Sequence, residues 1–100
     1  MEKFSLGQLV VTKGIQSKIN SDVDFLINVL EILERYRRCD WGDLCEDDKA
    51  QNEDALIDGE RIFAVYNIGK EKVYIITEHD RSVTTILFLR SIEPVILTWA

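Results

Sequence analysis

The clearest pattern in the chain is helical. From residue 21 onward, Leu26, Val29, Leu30 and Leu33 fall at i, i+3, i+4 and i+7, and Phe25, Ile32 and Tyr36 widen that apolar face. Ser21 stands where an N-cap is wanted, and Asp22 and Asp24 follow in the first turn, where the helix dipole favours negative charge. Glu31 with Arg35 and Glu34 with Arg38 are i,i+4 pairs in the favourable order. Ahead of this helix, Gly7 to Thr12 reads as a short strand ended by Lys13-Gly14, and Gly14 to Ile19 has room for one helical turn. A second helix is expected over Glu46 to Ile57, stopped by Asp58-Gly59 with the glycine at the left-handed C′ position. The pattern then changes to strand. Arg61 to Ile68 and Lys72 to Glu78 flank a Gly69-Lys70-Glu71 connection, and Ser82 to Leu89 follows a polar turn at His79-Asp80-Arg81.

The expected fold class is α+β: an antiparallel β-meander of three to four strands with two helices packed on one face and the short first strand at an edge. The three main strands carry apolar residues on both pleat faces, such as Ile62, Ala64 and Tyr66 against Phe63 and Val65. The second face therefore needs cover from the N-terminal strand, the C-terminal tail or another molecule. The tail, Pro94 to Ala100, is apolar almost throughout and is expected to pack as an edge strand or to meet a partner.

Length and composition narrow the picture. One hundred residues, 46% hydrophobic and 30% charged, make one compact domain over residues 1–100. No run approaches the roughly 18 apolar residues that cross a bilayer, so no membrane association is expected. The start, Met1 to Ser5, lacks a basic stretch leading into an apolar segment, which points to a cytoplasmic location. Cys39 and Cys45 stand alone, far in sequence from the single histidine, His79, and make no metal motif; a buried or half-buried thiol is expected for each.

Charge is uneven. Asp40 to Glu60 holds nine acids and one base, so this segment carries −8 while the other 79 residues sum to +2. Such a segment repels nucleic acid, whose binding depends on Lys and Arg, and attracts a basic protein surface. Asp43, Glu46, Asp47, Glu53, Asp54 and Asp58 are its candidate contact residues. A second group is polar: Asp40, Trp41, Asp48, Asn52, Glu78, Asp80 and Arg81. Asp48 and Asn52 share a helix face with Ala55 and Leu56 and need partners there. If the Asp80-Arg81 turn meets that face, a bidentate pair between Arg81 and a carboxylate would tie helix to sheet beside Trp41. Asp40 and Asp43 are also placed to cap the Glu46 helix.

Carboxylates with one asparagine suit Mg²⁺, and His79 suits proton transfer, so a metal-dependent enzyme acting on a phosphate-containing substrate is one alternative. No phosphate loop, nucleophile elbow or paired-histidine motif accompanies them, and the balance is against catalysis: no catalytic residue, metal ligand or cofactor is assigned. A homodimeric assembly factor, its sheet completed by residues 96–99, is the other alternative.

The order of motifs resembles one family. Leu6-Gly7-Gln8-Leu9-Val10-Val11-Thr12, Asp40-Trp41-Gly42-Asp43, Glu46-Asp47-Asp48-Lys49 with Asn52, Gly59 and Arg61, Ile75-Ile76-Thr77-Glu78, Asp80-Arg81-Ser82 and Thr84-Thr85-Ile86-Leu87 are similar to short plasmid-related proteins carried on mobile elements. The likeness covers roughly residues 5–88. Cys39 departs from the family's usual glycine, His79 from a small residue, and the tail runs past the family's usual end. The resemblance implies a bacterial accessory role tied to mobile DNA. Small acidic proteins of that setting include inhibitors of host defence nucleases, of the anti-CRISPR or antirestriction type, whose acidic surface occupies a site meant for nucleic acid.

Overall fold

Each helix among the described residues begins at an extended residue, Thr12, Asp22 or Cys45, and the breaks follow from the caps. The computed structural model describes residues 4–88 and 96–98. Strand β1 (Gln8–Thr12) runs straight into helix α1 (Lys13–Ser21), with Thr12 as N-cap accepting from the Ile15 N–H. Lys13-Gly14 thus opens a helix of nine residues, where one turn was expected. Asp22, extended at φ −147°, breaks the path; its carboxylate accepts from Phe25 N–H at 3.2 Å and starts helix α2 (Val23–Arg37). The cap is therefore Asp22, and Ser21 closes α1 by donating its hydroxyl to the Lys18 carbonyl. Helix α3 (Glu46–Asp58) ends at Gly59 with φ 73°, as the sequence leads one to expect.

Strands β2 (Ile62–Ile68), β3 (Glu71–Thr77) and β4 (Val83–Phe88) form an antiparallel meander. The sheet as a whole is mixed. β1 lies parallel to β4, and β5 (Ile96–Thr98) pairs antiparallel with β1, for a strand order β2-β3-β4-β1-β5. Two expectations are corrected here. Among the described residues three helices, rather than two, accompany the sheet, and β1 is an interior strand rather than an edge. Gly7 permits this: at φ 64°, its missing Cβ lets the chain pass against the carbonyls of Arg81 and Ser82, so that Gln8 N–H donates to Ser82 O at 3.0 Å and the parallel pairing starts. Since β1 and β5 both lie within the sheet, neither folds over its second face. The expected edge strand in the tail is present over Ile96–Thr98; Leu89, Pro94, Val95, Trp99 and Ala100 lie outside the described residues.

One apolar cluster joins a single sheet face to the helices. Ile62, Ala64, Tyr66, Ile68, Val73, Ile75, Ile86 and Phe88 meet Ile15, Ile19, Phe25, Val29, Ile32, Leu33, Tyr36 and Ala55. The α2 residues that bury are Phe25, Val29, Ile32, Leu33 and Tyr36, all within the expected apolar face, whose other two members, Leu26 and Leu30, lie at its more exposed margin. Leu30 is consequently 48% exposed. A chain of buried hydroxyls crosses this core: Tyr36 Oη lies 2.7 Å from Thr77 Oγ1, which lies 2.8 Å from Thr84 Oγ1, which donates to Leu6 O at 2.7 Å. Burial pushes the Tyr36 phenol well above its ordinary range. Among the described residues no helix is long and apolar enough to cross a membrane.

Candidate functional site

The Asp40–Asp43 segment and Asn52 converge on the outer edge of β2. An edge strand offers alternate N–H and C=O groups outward, and here most of the bonds to them come from side chains and a short loop. Asn52, 1% exposed on α3, donates Nδ2 to Phe63 O at 2.6 Å and accepts from Phe63 N–H at 3.3 Å, as a neighbouring strand would. Gly42 makes a parallel bridge to Val65, and Asp43 N–H donates to Val65 O at 2.7 Å. The Asp43 carboxylate accepts from Asn67 N–H at 3.1 Å and from its Nδ2 at 2.8 Å. Gly42, at φ 71°, passes so close to Val65 O and the Tyr66 ring that a side chain there would collide with both.

Asp40 and Trp41 anchor this clasp. The Asp40 carboxylate receives Arg35 Nε at 2.7 Å and Nη2 at 3.2 Å, and its carbonyl accepts from the Tyr66 hydroxyl. The Arg35 hydrogen bond holds the Asp40 carboxyl below the usual carboxylate range, with Gly42 N–H adding to the effect. Arg35 also lies over the Tyr66 ring, 5.0 Å from its centroid. It is spent on Asp40 rather than Glu31, and Glu34 pairs with Arg37 at 3.2 Å rather than with Arg38, so neither expected i,i+4 pair forms. Trp41 is 3% exposed, packs edge-on to Tyr36 at 5.7 Å, and donates Nε1 to Glu53 Oε2 at 2.8 Å.

Arg81 pairs with no carboxylate among the described residues. It sits at φ 60° and donates to the carbonyls of Ala55 (3.0 Å), Glu60 (2.6 Å), Glu78 (3.2 Å) and His79 (3.3 Å). Its guanidinium thus closes the C-terminal end of α3 against the β3–β4 turn, where backbone carbonyls are in surplus. The expected network joining Arg81 to Asp48 and Asn52 is absent. Asn52 binds the β2 edge, and Asp48 is half-buried without a hydrogen bond or ion pair to the described residues. Glu78 pairs with Arg61 at 3.0 Å. Asp80 accepts from Ser82 N–H at 3.0 Å and its hydroxyl at 2.6 Å, bonds that hold its carboxyl below the usual range.

Asp40 and Asp43 do not cap α3, whose N-cap is Cys45 with no side-chain bond. Cys39 is a half-buried free thiol, but Cys45 is exposed, against the expectation of at least partial burial. The carboxylates and His79 lie apart: among the described residues, no group of three or more His, Cys, Asp or Glu side chains is placed to hold a metal ion.

What stays outward is the acidic stripe. Asp47, Asp54 and Asp58 occupy i, i+7 and i+11 of α3, within about 40° around the helix axis. All three are exposed, and no Lys or Arg among the described residues pairs with them. Glu46 meets Lys49 at 3.4 Å while remaining 91% exposed, and Glu53 is engaged by Trp41. Sequence reasoning missed Arg35, Tyr66 and Asn67 as parts of the clasp, because their partners lie beyond the reach of any helical or strand period. No protein family, curated protein or solved structure matches the chain.

Proposed function

We propose that the protein acts by protein–protein interaction, presenting the outer face of α3 to a basic surface on a partner. The observation that carries this reading is the Asp47–Asp54–Asp58 stripe, whose charges face solvent without a neutralising base among the described residues. Asp40, Glu46 and Glu78, in contrast, each hold an Arg or Lys. Adjacent like charges on one face add their fields, which steers a basic partner into encounter and repels nucleic acid. The resemblance to mobile-element proteins supplies the setting: the partner class is a nucleic-acid-binding defence complex, and the acidic face acts as an inhibitor by occupying its Arg/Lys-lined channel.

The test is a DNA-cleavage assay with purified CRISPR and restriction nucleases, with and without this protein. Cleavage of a susceptible enzyme falls on addition, added duplex DNA relieves the effect, and the block weakens as salt rises. The triple variant Asp47→Lys, Asp54→Lys, Asp58→Lys loses the inhibition while melting like the parent. Glu53 is left untouched because it holds Trp41. Inhibition of no enzyme in the panel, or equal inhibition by the triple variant, removes the reading.

A further inference from the structure

The sheet face turned from the helices carries two rows of side chains without a charge. Strand pairing lines up Phe63, Ile76, Thr85 and Val10 across β2, β3, β4 and β1, and Val65, Tyr74 and Leu87 across β2, β3 and β4 in the next row. The Phe63 and Tyr74 rings meet edge-on across this face at 6.2 Å. None of these residues belongs to the core cluster, whose strand members all point to the helix side. Charges stand only beyond the rows. At one end Arg61 pairs with Glu78 at 3.0 Å; at the other Lys72 Nζ lies 3.4 Å from Asn67 Oδ1. Two sheets bury such faces by packing them together about 10 Å apart.

The end charges choose the occupant. Lys72 on β3 and Glu78 just past its end share this face, carry opposite signs and lie about 20 Å apart. Consider a second copy related by a two-fold axis that runs across the strands, midway between the two rows. Each strand then lies antiparallel over its own counterpart. On β3, Tyr74 lies over the second copy's Ile76 and Lys72 over the second copy's Glu78, and symmetry makes each contact twice. The usual crossing angle of about 30° shifts such pairs by only about 2–3 Å one strand from the centre, within the reach of a lysine. The other two-fold, along the strands, lays β3 over the second copy's β1 and leaves Lys72 and Glu78 unanswered. The size also suits a second copy. Five strands are about 24 Å wide and the span from Arg61 to Asn67 is about 20 Å, so two faces cover on the order of 1,000 Å² in all, enough for a specific interface.

We propose that the protein forms a two-fold dimer through this sheet face, the charge-free rows of one copy packing on those of the other and Lys72 of each facing Glu78 of the other. The surface is separate from the α3 stripe and does not depend on it. It is also a face, and not the sheet edge at residues 96–99.

Sedimentation equilibrium of the whole protein, from micromolar to millimolar concentration, is the test. The parent shows a concentration-dependent dimer. Tyr74→Glu and Ile76→Glu each raise the dimer dissociation constant by roughly tenfold or more while circular dichroism shows a folded chain. Lys72→Glu and Glu78→Lys lie outside the rows and serve should the apolar changes unfold the protein. Each alone weakens the dimer, although one makes the chain more acidic and the other less, so net charge does not account for both. An equimolar mixture of the two restores the dimer, because opposite charges then meet at both ends. The α3 triple variant sediments like the parent. The proposal is overturned if the parent stays monomeric throughout, if folded Tyr74→Glu dimerises like the parent, or if the mixture of charge variants associates no better than either alone.

Discussion

Asn52 does at one position what a sixth strand would do for a whole edge. Its amide offers a donor and an acceptor in the spacing that Phe63 N–H and C=O require, and it is buried while doing so. Its position on the inward side of α3 was readable from the helical period; its partner was not, because Phe63 lies eleven residues on and the pairing depends on where α3 lands. Asn52→Ala would strand both backbone groups of Phe63 beneath the helix. The expected cost is about 1–3 kcal/mol of unfolding free energy, read from urea denaturation, with no change in the charge of the α3 stripe. An unchanged midpoint would mean that water replaces the amide and that the clasp holds by Asp43 and Gly42 alone. Arg81 teaches a similar lesson. Its charge suggested a carboxylate, but the surplus of carbonyls where α3 ends outweighs any nearby acid.

At the scale of elements, α2 shows how a pattern can give the right helix and a face broader than the one that buries. Leu26, Val29, Leu30 and Leu33 match the template of i, i+3, i+4 and i+7, yet Phe25, Val29, Ile32 and Tyr36 match it at i, i+4, i+7 and i+11. The larger side chains win, since Phe25 packs on Phe88 at 5.7 Å and Tyr36 enters the hydroxyl chain. Two substitutions separate these faces. Ile32→Ala, at a site 5% exposed, is expected to cost about 2–5 kcal/mol through lost burial and a cavity. Leu30→Ala is expected to cost about 1 kcal/mol or less, because much of that side chain is already in water. Equal shifts in denaturation midpoint would mean that Leu30 is packed as deeply as Ile32. α1 was underestimated for a related reason: Lys13-Gly14 read as a break and Gly14 to Ile19 as room for a single turn, but Ile15 and Ile19, four apart, are buried in the cluster that α2 and the sheet complete.

For the whole molecule, acid should loosen the fold. The Asp40 carboxyl is held below its ordinary value of 3.8 by Arg35, and that of Asp80 by Ser82. A carboxyl with a depressed folded-state value adds stability that is fully present above the ordinary value and is lost as pH falls through the folded one. Urea midpoints are therefore expected to hold from neutral pH to about pH 4 and to drop below it. Asp40→Asn should lower the midpoint at neutral pH and flatten that drop; a variant with the parent's full acid slope would show that Asp40 contributes nothing to it. What the sequence determined by itself is local: four of the strands, the existence of α2 and α3, the stop at Gly59 and the concentration of acid between Asp40 and Glu60. These depend on side-chain period, backbone freedom and formal charge, all properties of neighbours along the chain. What only the tertiary structure decided is long-range: that β1 lies inside the sheet, parallel to β4, that Asp40-Trp41-Gly42-Asp43 closes the β2 edge, and which acids remain free to meet a partner. Those outcomes depend on distant groups competing for the same hydrogen bonds and the same buried volume, and that competition is settled only when all the elements are packed at once.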